Sequence, residues 1–191
     1  MVNKKEYLDA QAKRFSGENV EARNRLKSAY RFFEPFVDKQ QSLLDIGTRD
    51  GWMLDYLRRK KITNTMGIDI TEDAVKYAQS QGRNVIWGDM HNLSAFSEAE
   101  FGTLIMIHSL EHCYNPQVVV NGLSRILKLG GILYVEVPLE NKPAKEVAHY
   151  YNFSSVHDVV KVLGSHFKLL KHKVVPVSKK LKNLLCVFQR I

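Results

Sequence analysis

Four short segments of this chain carry the residue types that hold and react small ligands. The first is Asp45-Ile46-Gly47-Thr48-Arg49-Asp50-Gly51. Glycine lets backbone approach a ligand closely, and a helix beginning just afterwards offers free amide donors. A dinucleotide loop would place three glycines as G-x-G-x-x-G to receive a pyrophosphate. Here an acid precedes the first glycine instead, which suits a ligand bearing an ammonium group and no phosphate. The second segment is Gly67-Ile68-Asp69-Ile70, where a carboxylate can accept both hydroxyls of a ribose. The third is Gly88-Asp89-Met90, whose acid can accept from an exocyclic amine while a neighbouring amide reads a ring nitrogen. Each acid alone also reads as a helix cap or turn former. Three such acids, each just after an apolar run, are far less easily explained that way. The fourth segment, from His108 to Pro116, contains His108, Glu111, His112 and Cys113.

These residues need a scaffold that brings them together, and the apolar pattern supplies one. Runs at 42–46, 65–70, 84–87, 103–108 and 132–137 read as buried strands. Helical spacing lies between them, in Trp52 to Arg59, in a helix capped by Thr71 with Ala74, Val75 and Ala78 inward, and from Pro116 to Lys128. Gly130-Gly131 is expected to stop that last helix. Alternating strands and helices imply an α/β, doubly wound sheet with right-handed crossovers. Val156 to Leu163 reads as a further helix. Strands at 166–175 and 183–189 then follow with no helix between them, so they are expected to pair antiparallel at one edge of a mostly parallel, seven-stranded sheet. Lys4 to Val37 reads as helical, split near Ser16-Gly17, with Leu26, Ala29, Tyr30, Phe33 and Val37 on one face. The expectation is a single domain over 1–191, with a helical segment at 1–40 and the α/β core at 41–191. In such sheets ligands bind beyond the carboxyl ends of the strands, where all four segments fall.

Composition narrows the function classes. The 191 residues are 45% apolar and 25% charged, an ordinary globular balance. No run approaches the roughly 18 to 20 apolar residues of a membrane span, and Met1 to Phe15 lacks the apolar stretch of a signal peptide. Cys113 and Cys186 form neither a disulfide framework nor a metal-ligand spacing, so no metal is expected. A cytoplasmic location follows as the expectation. The net charge is +8, and after Asp158 the chain has no acid but carries Lys161, Lys168, Lys171, Lys173, Lys179, Lys180, Lys182 and Arg190. Such a patch attracts anions such as nucleic acid. It equally protects an exposed sheet edge, which is favoured here because no aromatics interleave the lysines.

The order His108-Ser109-Leu110-Glu111-His112 followed by Asn115-Pro116, together with the acid-x-Gly loop, Asp69, Asp89 and the Leu-Gly-Gly before an apolar strand, resembles the class I S-adenosylmethionine-dependent methyltransferases. The resemblance covers Leu43 to Pro138 and is nearest the small-molecule and quinone-type members. It implies a Rossmann-like sheet with S-adenosyl-L-methionine as cofactor and S-adenosyl-L-homocysteine as product. It also implies that Asp45 and the loop of Gly47, Thr48, Arg49 and Gly51 contact the methionine moiety. Asp69 would hold the ribose, Ile70 would lie against the adenine, Asp89 and Met90 would read its edge, and His108 would sit beside the sulfonium. The family usually has glycine where Arg49 stands, so this side chain either pairs with the cofactor carboxylate or points to solvent.

Methyl transfer from a sulfonium is an in-line displacement, so the protein mainly holds acceptor and methyl carbon in line. Where the acceptor must lose a proton, His108, His112 and His149 are the candidate catalytic groups, each with a structural hydrogen-bonding role as the competing reading. Glu111 and Cys113 read as helix-start and core residues. The segment from Leu139 to Phe153 and the N-terminal aromatics Tyr7, Phe15, Tyr30, Phe32 and Phe33 are expected to shape the acceptor pocket. The expected partner is a small-molecule O, N or C acceptor. The alternatives are RNA or protein bound through the basic C-terminal face, and a scaffold that binds cofactor without turnover. The chain lacks an Asn-Pro-Pro-Tyr motif and a Pro-Cys pair, which argues against two kinds of nucleobase methylation.

Overall fold

The computed structural model describes residues 6–7, 20–142, 148–178 and 181–191. The sheet contains β1 (Leu43–Ile46), β2 (Thr65–Asp69), β3 (Val85–Trp87), β4 (Phe101–Ile107), β5 (Leu127–Pro138), β6 (Phe167–Pro176) and β7 (Lys182–Arg190). Its order is β3-β2-β1-β4-β5-β7-β6. The first five strands pair in parallel, and β7 runs antiparallel to both neighbours. The helices are α1 (Val20–Phe33), α2 (Trp52–Arg59), α3 (Glu72–Ser80), α4 (Pro116–Ile126) and α5 (Val156–Leu163).

Strand alternation divides the core into two layers. Leu43, Ile105, Tyr134 and Leu185 face the layer that α1 and α2 cover with Ala29, Tyr30, Phe33, Met53 and Leu57. Their neighbours Leu44, Leu104, Leu133 and Leu184 face the other layer, where α4 and α5 supply Val119, Leu123, Val159 and Leu163. Tyr30, Phe32 and Phe33 belong to the first layer: Phe33 packs on Tyr134 at 4.8 Å between ring centroids and Phe32 lies against the same ring. They do not line the main cavity, which corrects their expected place in the acceptor pocket. Phe15 and the Ser16-Gly17 break lie outside the described residues.

The boundaries hold closely where local chemistry is strong. Asn115 caps α4 by accepting from the Val118 amide, and Pro116 opens the helix. A capping box of Ser155 and Asp158 opens α5. One expectation fails. The helix α4 ends at Ile126, four residues before Gly130, and Leu127 already pairs with Phe101 in the sheet. Gly130-Gly131 instead sits inside β5, where the register slips between Phe101 and Thr103. A Cβ on Gly131 would lie 2.7 Å from the Lys128 carbonyl oxygen, so the glycines permit a bulge rather than stop a helix.

This topology positions the site. After β3 the chain returns across β1 to form β4, so the connections leaving β1 and β4 diverge to opposite sides. The crevice between them is where an open α/β sheet binds its ligand. The loop from Gly47 and the segment from His108 begin at its two walls.

Candidate functional site

A cavity of about 320 Å³ opens at this point. Its walls include Asp45, Gly47, Thr48 and Arg49 from the loop after β1, Asp69 and Ile70 after β2, and Met90 after β3. His108, Glu111 and His112 after β4 and His149 beyond β5 complete its other side. Two expected residues lie elsewhere. Asp89 turns its carboxylate to His91, taking that residue's backbone amide at 2.9 Å and its ring Nδ1 at 2.8 Å. Its neighbours Gly88 and Met90 line the cavity, but Asp89 does not. Gly51 caps α2 at φ +71 and packs against Val85 and Arg83.

The loop after β1 is a sequence of left-handed residues, with φ of +78 at Gly47, +57 at Arg49 and +71 at Gly51. Glycine adopts this region freely, and other L-residues do so at a cost of roughly 1–2 kcal/mol. The Arg49 conformation is held by its backbone N–H, which donates to Asp69 Oδ2 at 2.7 Å. Its side chain is exposed at the cavity wall. Replacing Arg49 by glycine is therefore expected to raise stability by about 1 kcal/mol in denaturant unfolding. If the guanidinium reaches the ligand's carboxylate, the same variant loses about tenfold in ligand affinity; unchanged affinity places the side chain in solvent.

The acids of the site are poised for a cation. Asp45 is 4% exposed, and the Thr48 hydroxyl donates to its Oδ2 at 2.7 Å. Burial, with Asp69 and Asp50 nearby, pushes its carboxyl up to about 7. Asp69 is also raised by burial, although the amides of Thr71 and Arg49 donate to its two oxygens and pull it back. A ligand ammonium would supply a counter-charge to Asp45, and the Asp69 carboxylate can accept from a ribose hydroxyl beside its bonds from Thr71 and Arg49. The residues present fit an aminoacyl nucleoside.

The opposite wall is a histidine–carboxylate cluster. His108 follows β4 at φ +54, with Nδ1 3.3 Å from Glu111 Oε1 and Nε2 3.4 Å from Glu136 Oε1. The Asn183 amide lies between His108 Nε2 at 2.8 Å and Glu136 Oε1 at 2.7 Å. Burial works against the imidazolium, but the two carboxylates outweigh it and raise His108 to about 9. A carboxylate near each ring nitrogen suits His108 to an orienting role better than to that of a base. His112 directs Nδ1 to the Ala148 carbonyl at 2.9 Å, and His149 directs Nδ1 to the Glu140 carboxylate at 2.9 and 3.0 Å.

Several residues around the site had no signal in the sequence. Glu136 and Asn183 come from β5 and β7, and only the pairing of those strands reveals them. Tyr7, by contrast, is expected from the sequence at the acceptor pocket, and it is buried at the cavity, edge-on to His91 and Tyr114. Arg23 and Arg25 reach it from α1, and the Arg25 Nε is buried without a hydrogen-bond partner among the described residues. A second cavity of about 320 Å³ adjoins through Ala22 and Arg25, between α1 and the β6–β7 hairpin.

Residues 44–135 match the family model described as "Methyltransferase domain". The chain is 30% identical over 109 residues to the ubiquinone biosynthesis O-methyltransferase of Paracidovorax citrulli (strain AAC00-1), a match covering 53% of this chain. It spans 45% of that relative's length. Among solved structures, the PH0226 protein from Pyrococcus horikoshii OT3 superposes with a TM-score of 0.72 at 20% identity, covering 91% of this chain and 93% of that one. A geranyl diphosphate methyltransferase in complex with S-adenosylmethionine gives 0.71 at 13% identity, covering 96% and 95%. At those identities the structural likeness speaks to the fold alone. Residues 44–135 are thus similar to the methyltransferase domain family, and the sheet has the fold of the solved methyltransferase above.

Proposed function

We propose that this chain transfers the methyl group of S-adenosylmethionine to an O, N or C atom of a small-molecule acceptor, in the cytoplasm. One observation carries the reading: a single cavity is lined on one side by the cofactor-type acids Asp45 and Asp69 and on the other by His108, His112 and His149. When bound, the cofactor supplies a methyl carbon made electrophilic by its sulfonium. The chain's own task is then alignment. Asp45 holds the ammonium, Asp69 holds the ribose, and Ile70 and Met90 flank the adenine. The acceptor's nucleophilic atom faces the histidine wall, and any proton it must lose leaves through that wall. Support for a small acceptor comes from the cavity's size and from the two relatives named for small-molecule methylation.

The basic C-terminal face gives less support to RNA or protein as acceptor. Its lysines 168, 171 and 173 lie on β6, the outermost strand and the farthest from β1 across the sheet's β4 side. Lys179 and Lys180 lie outside the described residues. Among the described residues no helix is long and apolar enough to cross a membrane.

The test is calorimetric titration with S-adenosylhomocysteine. Saturable one-to-one binding near the micromolar range, about −8 kcal/mol, is expected. Asp69→Ala should weaken it by about 1.5–3 kcal/mol, the worth of hydrogen bonds to a charged group. Absence of binding by folded wild-type protein refutes the reading. Binding without turnover across O, N and C acceptors would leave the scaffold alternative.

A further inference from the structure

The geometry points to a divalent transition-metal site formed by Glu111, His112 and His149 at the acceptor end of the cavity. This inference rests on the methyl-transfer reading for its purpose, but the site itself stands on its own geometry. One ligating atom from each of the three residues lies within 4.8 Å of the others, and all three residues are buried. Two atoms bound tetrahedrally at about 2.1 Å from a metal lie about 3.4 Å apart, so closure needs only small side-chain rotations.

Three further features point to a cation rather than to a chance cluster. Glu111 is 1% exposed, and neither carboxylate oxygen has a hydrogen bond among the described residues. The nearest charge is His108 Nδ1, at 3.3 Å from Oε1. His108 offsets part of that charge, but a buried carboxylate whose oxygens accept no hydrogen bond is costly, and a cation would satisfy it. Next, the tautomers are set. The Ala148 carbonyl and the Glu140 carboxylate can only accept, so Nδ1 of His112 and of His149 carries a proton and Nε2 is the ring nitrogen that an ion would take. Finally, a carbonyl or carboxylate behind the Nδ1–H of each imidazole is the outer shell that orients metal-bound histidines.

Two imidazoles and one carboxylate favour Zn²⁺, Co²⁺, Mn²⁺ or Fe²⁺ over Mg²⁺, which prefers oxygen donors throughout. Because Glu111, His112 and His149 line the same cavity as Asp45 and Asp69, the acceptor class such an ion would take as a further ligand is one bearing an oxygen donor. That narrows the acceptor from O, N or C to a hydroxyl-bearing small molecule.

The test uses the full chain without a histidine tag, stripped with a chelator and titrated separately with Co²⁺, Zn²⁺ and Mg²⁺. Calorimetry follows all three, and visible absorption follows Co²⁺. One-to-one binding of Co²⁺ and Zn²⁺ is expected, with Mg²⁺ at least a hundredfold weaker. Glu111→Gln and His149→Ala should each weaken Co²⁺ at least tenfold and alter its spectrum. Glu140→Gln, which keeps all three ligands, should cost about tenfold. Thermal unfolding and S-adenosylhomocysteine titration of every sample separate loss of the site from loss of the fold. A folded wild type that binds S-adenosylhomocysteine but none of the three ions overturns the metal site and leaves the methyltransferase reading standing. Undiminished Co²⁺ binding by both ligand variants overturns it as well. Metal binding without S-adenosylhomocysteine binding supports the site and defeats the methyl-transfer reading instead.

Discussion

Asp45→Asn should make the free protein more stable and its cofactor affinity poorer. In the free protein, burial holds the Asp45 carboxyl near 7, against 3.8 for an ordinary aspartate. The folded state therefore binds more protons than the unfolded state between about pH 4 and 7, and stability falls as pH rises through that window. Above it the penalty is fully present. Each pKa unit is worth about 1.4 kcal/mol, which bounds the penalty at about 4 kcal/mol. Local relaxation reduces such figures, so a gain of about 1–3 kcal/mol is expected for the asparagine variant at pH 8. Asparagine keeps the shape and can still accept from the Thr48 hydroxyl, which now donates to Asp45 at 2.7 Å. At pH 4 the gain should shrink to about 0.5 kcal/mol, because the folded wild type is then protonated and the unfolded state only about half ionised.

The same substitution removes the only charge at that position able to face an ammonium. Charge-assisted hydrogen bonds contribute about 1.5–3 kcal/mol, so S-adenosylhomocysteine should bind at least tenfold more weakly at pH 8. In the wild type, ammonium binding lowers the Asp45 pKa, so a proton is released near pH 6 and affinity climbs toward pH 7. Calorimetry in two buffers of different ionisation enthalpy reads that proton directly. Denaturant unfolding at pH 4, 6 and 8 reads the stability. A variant less stable than wild type at pH 8, or one that binds the ligand equally well, would contradict this account of Asp45.

What could be read from the sequence follows the range of the interactions involved. The helices Trp52–Arg59 and Val156–Leu163 match their expected limits, because an apolar stripe and local start signals define them within a few residues. Gly130-Gly131 misled because a glycine pair marks a helix end and a bulge equally well, and only pairing with β4 distinguishes them. In the site, Asp45, Gly47, Asp69 and His108 were legible because each lies at or just past the carboxyl end of a strand, and parallel strands bring those ends to one edge. Asp89 has the same placement, yet His91 occupies its carboxylate. Glu111 was read as a helix-start residue. Its environment is set by His149, 38 positions along the chain, and by the Glu140 carboxylate behind that ring. Asn183 reaches His108 across a separation of 75 residues, a contact no local pattern encodes.

Gly47→Ala should be the most damaging single-methyl change at the site. Gly47 has φ +78, where an L-side chain is strained, and a Cβ there would sit 2.3 Å from Ser109 Oγ and 2.9 Å from Ser109 Cβ. Ser109 cannot easily withdraw, because its hydroxyl donates to the Ile46 carbonyl at 2.7 Å and ties the β4 segment to β1. Left-handed strain of about 1–2 kcal/mol adds to an overpacking cost of about 1–3 kcal/mol. A total loss of about 2–5 kcal/mol in denaturant unfolding is expected. Because the methyl would push apart the two walls of the crevice, S-adenosylhomocysteine affinity should fall by at least a hundredfold in whatever fraction remains folded. The two costs can be separated with Ser109→Gly, which removes both clashing atoms and leaves the backbone strain. In the double variant the steric part should return, so the loss from Gly47→Ala should shrink to about 1–2 kcal/mol, the strain alone. If the two substitutions prove additive, the close approach of Gly47 to Ser109 is not what demands glycine here, and backbone conformation accounts for the whole effect.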